Sequence, residues 1–185
     1  MQENGEEKKL SATKKIAGTA VFTALAFILS FLEIPIFPAA PFLKLDFSLA
    51  ALMLAAFIYG PVSGASACVL KELLCALKSS TGGVGEIANA VVSLGFILLP
   101  SVIYVYKKGI KTVIISLVAA CFIQVALSLF ANRYINFPLY MGESAREAFL
   151  SLYPYIIAFN FIKSISVSII TILLYKKVSG LIKKI

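Results

Sequence analysis

The chain alternates between long apolar runs and short breaks made of polar residues, glycine or proline. A helix of about 20 residues, rising 1.5 Å per residue, crosses the roughly 30 Å hydrocarbon core of a bilayer. Six apolar runs approach or reach that length, at residues 16–32, 47–59, 62–77, 86–106, 110–131 and 155–175. Residues 132–154, between the fifth and sixth runs, are predicted to form a longer polar connection. The pattern predicts an all-α, polytopic membrane protein with six transmembrane helices.

Composition agrees with this pattern and excludes several classes of protein. Of the 185 residues, 60% are hydrophobic, and the mean hydropathy of +0.95 is too high for a soluble domain. The net charge is +8, but the lysines lie mainly at the ends of apolar runs, which favours anchoring among membrane lipids over nucleic-acid binding. There is no histidine, and the three cysteines lie in apolar runs, so neither a metal site nor a disulfide framework is expected.

The distribution of lysine and arginine predicts the orientation of the helices. With the amino terminus inside, eleven of the seventeen basic residues fall in cytoplasmic segments and four in outer loops. Basic residues concentrate on the cytoplasmic side of membrane proteins, so both termini are expected in the cytoplasm. Residues 1–15 are then expected to form a cytoplasmic N-terminal segment, and residues 16–185 a six-helix membrane domain.

The sixth run carries a polar face. Asn160 and Lys163 are three residues apart and share one face of a helix, which Ser164 and Ser168 continue. A lysine at that depth costs about 3 kcal/mol on insertion scales, so this face is expected to meet protein, water or a ligand. The alternative is that the lysine stem lies along the helix while its ammonium snorkels to the nearer interface.

The segment 33–48, EIPIFPAAPFLKLDFS, has three prolines and is predicted to be a loop, although an unusually apolar one. We expect it to fold back over the helices as a lid; the alternative is that it lies in the headgroup layer. In the predicted topology it shares the outer side with Glu86, Asn89, Asn132 and the polar face of the sixth run. Polar groups from three helices beneath a lid predict a concave site for a flat, heteroaromatic or amide-like ligand.

Two further pairs of residues carry predictions. Lys71 and Glu72 lie inside the third run, and adjacent residues point about 100° apart on a helix, so each is expected to find a partner other than its neighbour. Ala20 and Ala24, four residues apart in the first run, allow another helix to approach closely, or reflect ordinary packing.

Catalysis and autonomous ATP use are not indicated. The nucleotide-binding pattern GxxxxGK[ST] is absent from the sequence, and no cluster of histidine, cysteine or aspartate indicates an enzyme. A chain with six helices and no evident internal repeat is small for a transporter built on paired halves. It fits better as a binding subunit that relies on a separate motor.

Several motifs resemble the substrate-binding S components of energy-coupling factor (ECF) vitamin transporters, most closely the riboflavin-specific ones. The resemblance covers nearly the whole chain and rests on YGPVSG, GGVGEIAN, ANRYINFPLY and AFNFIKS. YGPVSG is weakly specific, whereas GGVGEIAN together with FNFIK at this separation is much more so.

The resemblance implies a multi-pass protein of the bacterial cell membrane that captures riboflavin from outside. Riboflavin is the transported ligand and not a cofactor, and it is delivered when the subunit joins a membrane T component and two cytoplasmic ATPases. The resemblance also implies a role for each matching position in this chain. It implies that the flavin ring is contacted by Asn132, Asn160 and Lys163, and the ribityl chain by Glu86 and Asn89. The lid over the vitamin is formed by Phe42, Leu43, Lys44, Leu45 and Asp46. The T component is contacted by Ala20 and Ala24.

Two alternatives remain open at this point. The chain could serve another vitamin, such as folate, pantothenate or a queuosine precursor. It could also be a small non-transporting assembly protein in which polar residues only hold the helices together.

Overall fold

The computed structural model describes residues 11–79 and 82–182, and nearly all of this part is helical. The predicted N-terminal segment, 1–15, lies largely outside the described residues, so the division into two domains stays a prediction. Two short antiparallel strands interrupt the helices between the first and second of them. The elements are α1 (Ala12–Leu29), β1 (Ile34–Pro35), β2 (Lys44–Leu45), α2 (Ser48–Tyr59), α3 (Pro61–Ala76), α4 (Val84–Tyr106), α5 (Ile110–Ala131), α6 (Phe137–Met141) and α7 (Ala145–Ile182).

Helix α2 lies at the centre of the bundle. Every residue from Ser48 to Phe57 is buried, and α2 packs against α1, α3, α4 and α7. Its sequence, SLAALMLAAFIY, is apolar on all sides, as expected for a helix surrounded by protein. Its small alanines let the neighbouring helices come close, so this short helix forms the core.

A tight turn and a close helix contact join α2 to α3. Gly60, with φ 100°, ends α2 in a conformation that favours glycine, and Pro61 begins α3 where its missing N–H is not needed. One turn later, a Cβ atom added to Gly64 would lie 2.3 Å from Cβ and 2.9 Å from Cα of Ala56. The absence of a side chain at Gly64 therefore sets the spacing of α2 and α3.

The lid segment, residues 33–47, folds back over one end of the bundle, as predicted. Ala40 and Leu43 are buried in an apolar cluster, the lid cluster, to which α6 and α7 contribute Phe137, Ile156 and Phe159. The ring of Phe37 lies 5.5 Å from that of Tyr155, and the ring of Phe42 lies 6.0 Å from that of Phe137, all between ring centroids. The β1–β2 pair adds regular structure to a segment that was expected to be a loop.

The connection after α5 differs from the prediction. Residues 132–154 were expected to form a polar connection, but they are helical: a π-helical turn at Asn132–Asn136, α6, a 3-10 turn at Gly142–Ser144, and then α7, which continues through Pro154. The cause is a second periodicity. Ala145, Ala148, Phe149 and Leu152 recur at helical spacing and pack against the lid cluster.

The helices have the length and surface of a membrane protein. Within the described residues, three helical stretches are long and apolar enough to cross a membrane, at residues 12–29, 84–106 and 110–175. The last is 66 residues long and turns back on itself, since α5 packs against α7. Large apolar side chains are exposed on the outside of the bundle, among them Val62, Ile115 and Leu173. Such a surface suits contact with lipid.

The contact at Gly64 predicts a position that tolerates no side chain. Gly64→Ala should lower the stability of the detergent-solubilised protein by about 1–3 kcal/mol, because the new methyl group meets the backbone of α2. Gly95→Ala is the matched control: there the added Cβ meets the flexible end of Leu127, at 2.1 Å from Cδ1. Thermal unfolding measures both variants. Equal melting temperatures for the two would contradict the assignment of Gly64 as the spacer.

Candidate functional site

A cavity of about 670 Å³ lies beneath the lid segment, between α3, α4, α5 and α7. Binding sites for small molecules commonly have volumes of about 300–1,000 Å³. The cavity brings together every candidate ligand-binding residue except Leu45, whose side chain packs in the lid cluster instead. Those lining it are Phe42, Leu43, Lys44, Asp46, Glu86, Asn89, Asn132, Asn160 and Lys163.

Two asparagines form one wall, and α5 holds both of them. Asn160, on α7, is 5% exposed, and its Nδ2 atom donates to the hydroxyl of Ser128 at 2.5 Å and to the carbonyl of Ile156 at 2.9 Å. Asn132 donates from Nδ2 to the carbonyl of Ser128 at 2.9 Å and accepts from Asn136 at 3.1 Å. Buried amides with fixed partners present their remaining polar atoms in a defined direction.

The backbone conformation at the end of α5 directs these polar side chains toward the cavity. Asn132 begins the π-helical turn, a distortion that is often found at functional sites because it redirects side chains. Ser128, Asn132 and Asn136 all line the cavity. They are spaced by four residues, so they share one helix face. Ser128 and Asn136 are not among the residues predicted from the sequence, but their spacing from Asn132 is a signal that identifies them.

Lys163 forms an ion pair inside the protein, which argues against the alternative that its ammonium snorkels to the interface. Its ammonium lies 2.9 Å from Oδ2 of Asp46, and the two side chains are 13% and 12% exposed. Burial by itself would raise the pKa of the Asp46 carboxyl. The positive charges of Lys163 and Lys71, with hydrogen bonds from Ser48 and Lys163, instead hold this pKa well below its ordinary value. Asp46 is therefore ionised at neutral pH.

Lys71 and Glu72 pair with each other, so the prediction that they cannot do so is wrong. Lys71 Nζ lies 2.9 Å from Glu72 Oε1, and both side chains are 6% exposed. Long side chains bend toward one another even though their Cβ atoms diverge on the helix. The pair lines the cavity beside Asp46 and carries no net charge, which limits the cost of burying two ions.

The first turns of α4 line a more exposed part of the cavity. Glu86 is half-buried in the first turn of α4, as predicted, and accepts a hydrogen bond from the hydroxyl of Ser79 at 2.8 Å. Asn89 is exposed and lines the cavity one turn further along α4. This region presents polar groups where the cavity meets its surroundings.

Ala20 and Ala24 lie elsewhere. They line a shallow groove on the outside of the bundle, between α1 and α3, whose other walls are Thr23 and the side chains of Leu70, Leu73, Leu74 and Leu77. Small residues facing an apolar groove leave room for the close approach of another apolar surface.

The chemistry of the cavity is that of recognition. Its paired charges, amides and apolar walls suit a ligand held by hydrogen bonds and ring contacts. Among the described residues, no group of three histidine, cysteine, aspartate or glutamate side chains is placed to hold a metal ion.

Three curated relatives are similar along most of their length. Riboflavin transporter RibU of Staphylococcus aureus (strain TCH60) is 33% identical over 98% of this chain and 100% of the relative. Riboflavin transporter FmnP of Bacillus subtilis (strain 168) is 27% identical over 92% of this chain and 95% of the relative. Riboflavin transporter RibU of Streptococcus thermophilus (strain ATCC BAA-250 / LMG 18311) is 27% identical over 95% of this chain and 88% of the relative.

The comparison of structures and the family model agree with these relatives. A solved structure of the S component of a bacterial ECF transporter matches with a TM-score of 0.82 and 33% identity, over 94% of this chain and 99% of that one. The model of the family "ECF transporter, substrate-specific component" matches residues 14–175. The resemblance found in the sequence is confirmed: the chain belongs to the substrate-specific components of ECF transporters, which are transporter subunits and not enzymes.

Proposed function

We propose that this protein is the high-affinity riboflavin-binding subunit of an ATP-driven importer, and that it captures the vitamin on the extracytoplasmic side of the membrane. The single observation that carries the proposal is the convergence of Asn132, Asn160 and Lys163 on one cavity beneath the lid segment. The names of the relatives, all riboflavin transporters, support the choice of vitamin.

The polar groups complement a flavin ring. The ring presents an N–H between two carbonyl groups, so it needs an acceptor flanked by donors. Both hydrogen bonds of Asn160 use Nδ2, which leaves Oδ1 to accept from the ring. The ammonium of Lys163 has three N–H donors, and one of them donates a hydrogen bond to Asp46. The others remain to donate to a flavin carbonyl. Phe137 and Phe159 supply apolar walls for the ring faces.

The remaining parts of the vitamin fit the more open end. The hydroxyl-rich ribityl chain extends toward Glu86 and Asn89, which offer acceptors and donors where the cavity widens. Residues Phe42 to Asp46 cover the bound ring. Leu45 contributes to this cover through its contact with the lid cluster, not by touching the vitamin.

Transport requires partners. The S component joins a membrane T component and two cytoplasmic ATPases, which supply the energy. The face of α1 that carries Ala20 and Ala24 contacts the T component, and the groove it forms with α3 admits an apolar helix.

The topology of the proposed subunit has six membrane-crossing helices, α1 to α5 and α7, in the bacterial cell membrane, with both termini in the cytoplasm. Lys107 and Lys108 follow α4 at the end opposite the cavity, where basic residues mark the cytoplasmic side. The cavity then opens outside, where vitamin is captured.

Riboflavin binding by the purified protein tests the function directly. Titration should quench riboflavin fluorescence with saturable, tight binding, because a buried ring contacts aromatic and charged side chains. Folate, pantothenate and a queuosine precursor, added as competitors, should displace no riboflavin. Displacement by one of them would assign the cavity to that vitamin instead, and an absence of quenching would remove the proposed function.

Lys163→Met tests the cationic contact. Affinity for riboflavin should fall by about 1–3 kcal/mol, since the variant loses a charge-assisted hydrogen bond. Lys111→Met is the control, because Lys111 is exposed near the start of α5, at the opposite end from Asn132. If both variants bind riboflavin equally well, Lys163 does not contact the vitamin.

Cysteine labelling of whole cells tests the orientation. The three native cysteines are buried. Glu143→Cys, at an exposed position between α6 and α7, should react with a membrane-impermeant maleimide, whereas Lys111→Cys should react only after the cells are opened. The reverse labelling pattern would place the cavity on the cytoplasmic side.

A further inference from the structure

The carboxylate of Asp46 joins three parts of the molecule through separate oxygen atoms. Oδ1 accepts hydrogen bonds from the backbone N–H of Ser48, at 2.9 Å, and from the Ser48 hydroxyl, which ties the end of the lid segment to the start of α2. Oδ2 accepts from Lys163 on α7, at 2.9 Å and 117 residues further along the chain. One side chain therefore fixes the lid, the central helix and the proposed ligand-binding lysine.

We propose that Asp46 is a positioning residue: its Oδ2 holds the Lys163 ammonium at the cavity wall, so that the seating of the lid and the cationic contact to the vitamin depend on the same ion pair. This inference rests on the proposed function and deepens it. In this assignment Asp46 acts on the vitamin through Lys163 and does not need to touch it.

The surroundings of Lys163 single out Asp46 as its partner. The other nearby carboxylate is Glu72: its Oε1 atom pairs with Lys71 at 2.9 Å, and its Oε2 atom forms no hydrogen bond with Lys163. The centroid of the Phe159 ring is 6.0 Å from the Lys163 ammonium. A lysine has a flexible four-carbon stem and takes many rotamers when nothing holds its end. Without Asp46, the ammonium loses the ion pair that it forms among the described residues.

Asp46 is well suited to hold a second group because its own position is fixed. It is 9% exposed and lies two residues before Ser48, the first residue of the buried helix α2. The hydrogen bond from the backbone N–H of Ser48 to Oδ1, which does not depend on the Ser48 side chain, keeps the carboxylate from rotating. The rigid core of the bundle therefore sets the direction of Oδ2.

The substitution Asp46→Asn separates the contact of Asp46 with Ser48 from its contact with Lys163. The amide keeps an oxygen for Ser48 but turns an NH₂ group toward the lysine, so of the hydrogen bonds of Asp46 only the one from Lys163 is lost. Riboflavin affinity, measured by fluorescence quenching, should fall about tenfold, as expected for a charge-assisted hydrogen bond. Ser48→Ala is the matched control: it removes a hydroxyl from the other oxygen, and affinity should stay within about twofold.

A double-mutant cycle distinguishes positioning from a general structural role. In the Lys163→Met background, Asp46→Asn should change affinity by less than about twofold, because no ammonium remains to be positioned. If Asp46→Asn costs the same factor in both backgrounds, it acts independently of Lys163 and the inference is overturned.

A measurement without riboflavin keeps this inference separate from the proposed function. Reductive methylation with formaldehyde and sodium cyanoborohydride as the reductant, followed by mass spectrometry, reports how available the Lys163 amine is. The rate should rise several-fold in Asp46→Asn and stay at the wild-type value in Ser48→Ala, because only the first frees the ammonium. An unchanged rate in Asp46→Asn overturns the inference even if riboflavin binds, whereas wild-type protein that fails to bind riboflavin overturns only the proposed function.

Discussion

A charge at membrane depth needs a partner, and this requirement organises the lid end of the protein. Four of the charged side chains that line the cavity are largely buried, and they form two ion pairs, each at 2.9 Å: Lys163 with Asp46, and Lys71 with Glu72. Removing one member of a buried pair leaves the other uncompensated, which costs far more than the pair itself gains. The pairs therefore restrict how the lid segment and α7 can be arranged.

The apolar core of the bundle holds the lid segment and the ion pairs in this arrangement. Because α2 is buried on all sides and held close to α3 at Gly64, its first residue provides a fixed point for the lid segment. The lid cluster is a second, separate apolar core that joins the lid segment to α6 and α7. The cavity lies next to both, so its walls are preformed by packing, and a ligand does not need to order them. Preformed sites lose less conformational entropy on binding.

The sequence predicted the features that depend on local spacing. The three-residue interval between Asn160 and Lys163, and the prolines that keep residues 33–47 out of a helix, are visible without a structure. The helical form of residues 132–154 is harder to predict, because polar residues obscure the helical spacing of Ala145, Ala148, Phe149 and Leu152. The pairing of Lys71 with Glu72 does not follow from Cβ directions, because these do not limit where long side chains end. The pairing of Asp46 with Lys163 joins residues 117 positions apart, and only the packed fold brings them together.

We propose that the lid-covered cavity holds the flavin ring of riboflavin, and a structure of the protein determined with riboflavin tests this proposal. We expect the ring between the lid segment and α7, within hydrogen-bonding distance of Asn132, Asn160 and Lys163. Riboflavin bound anywhere else on the protein, with this cavity unoccupied, would contradict it.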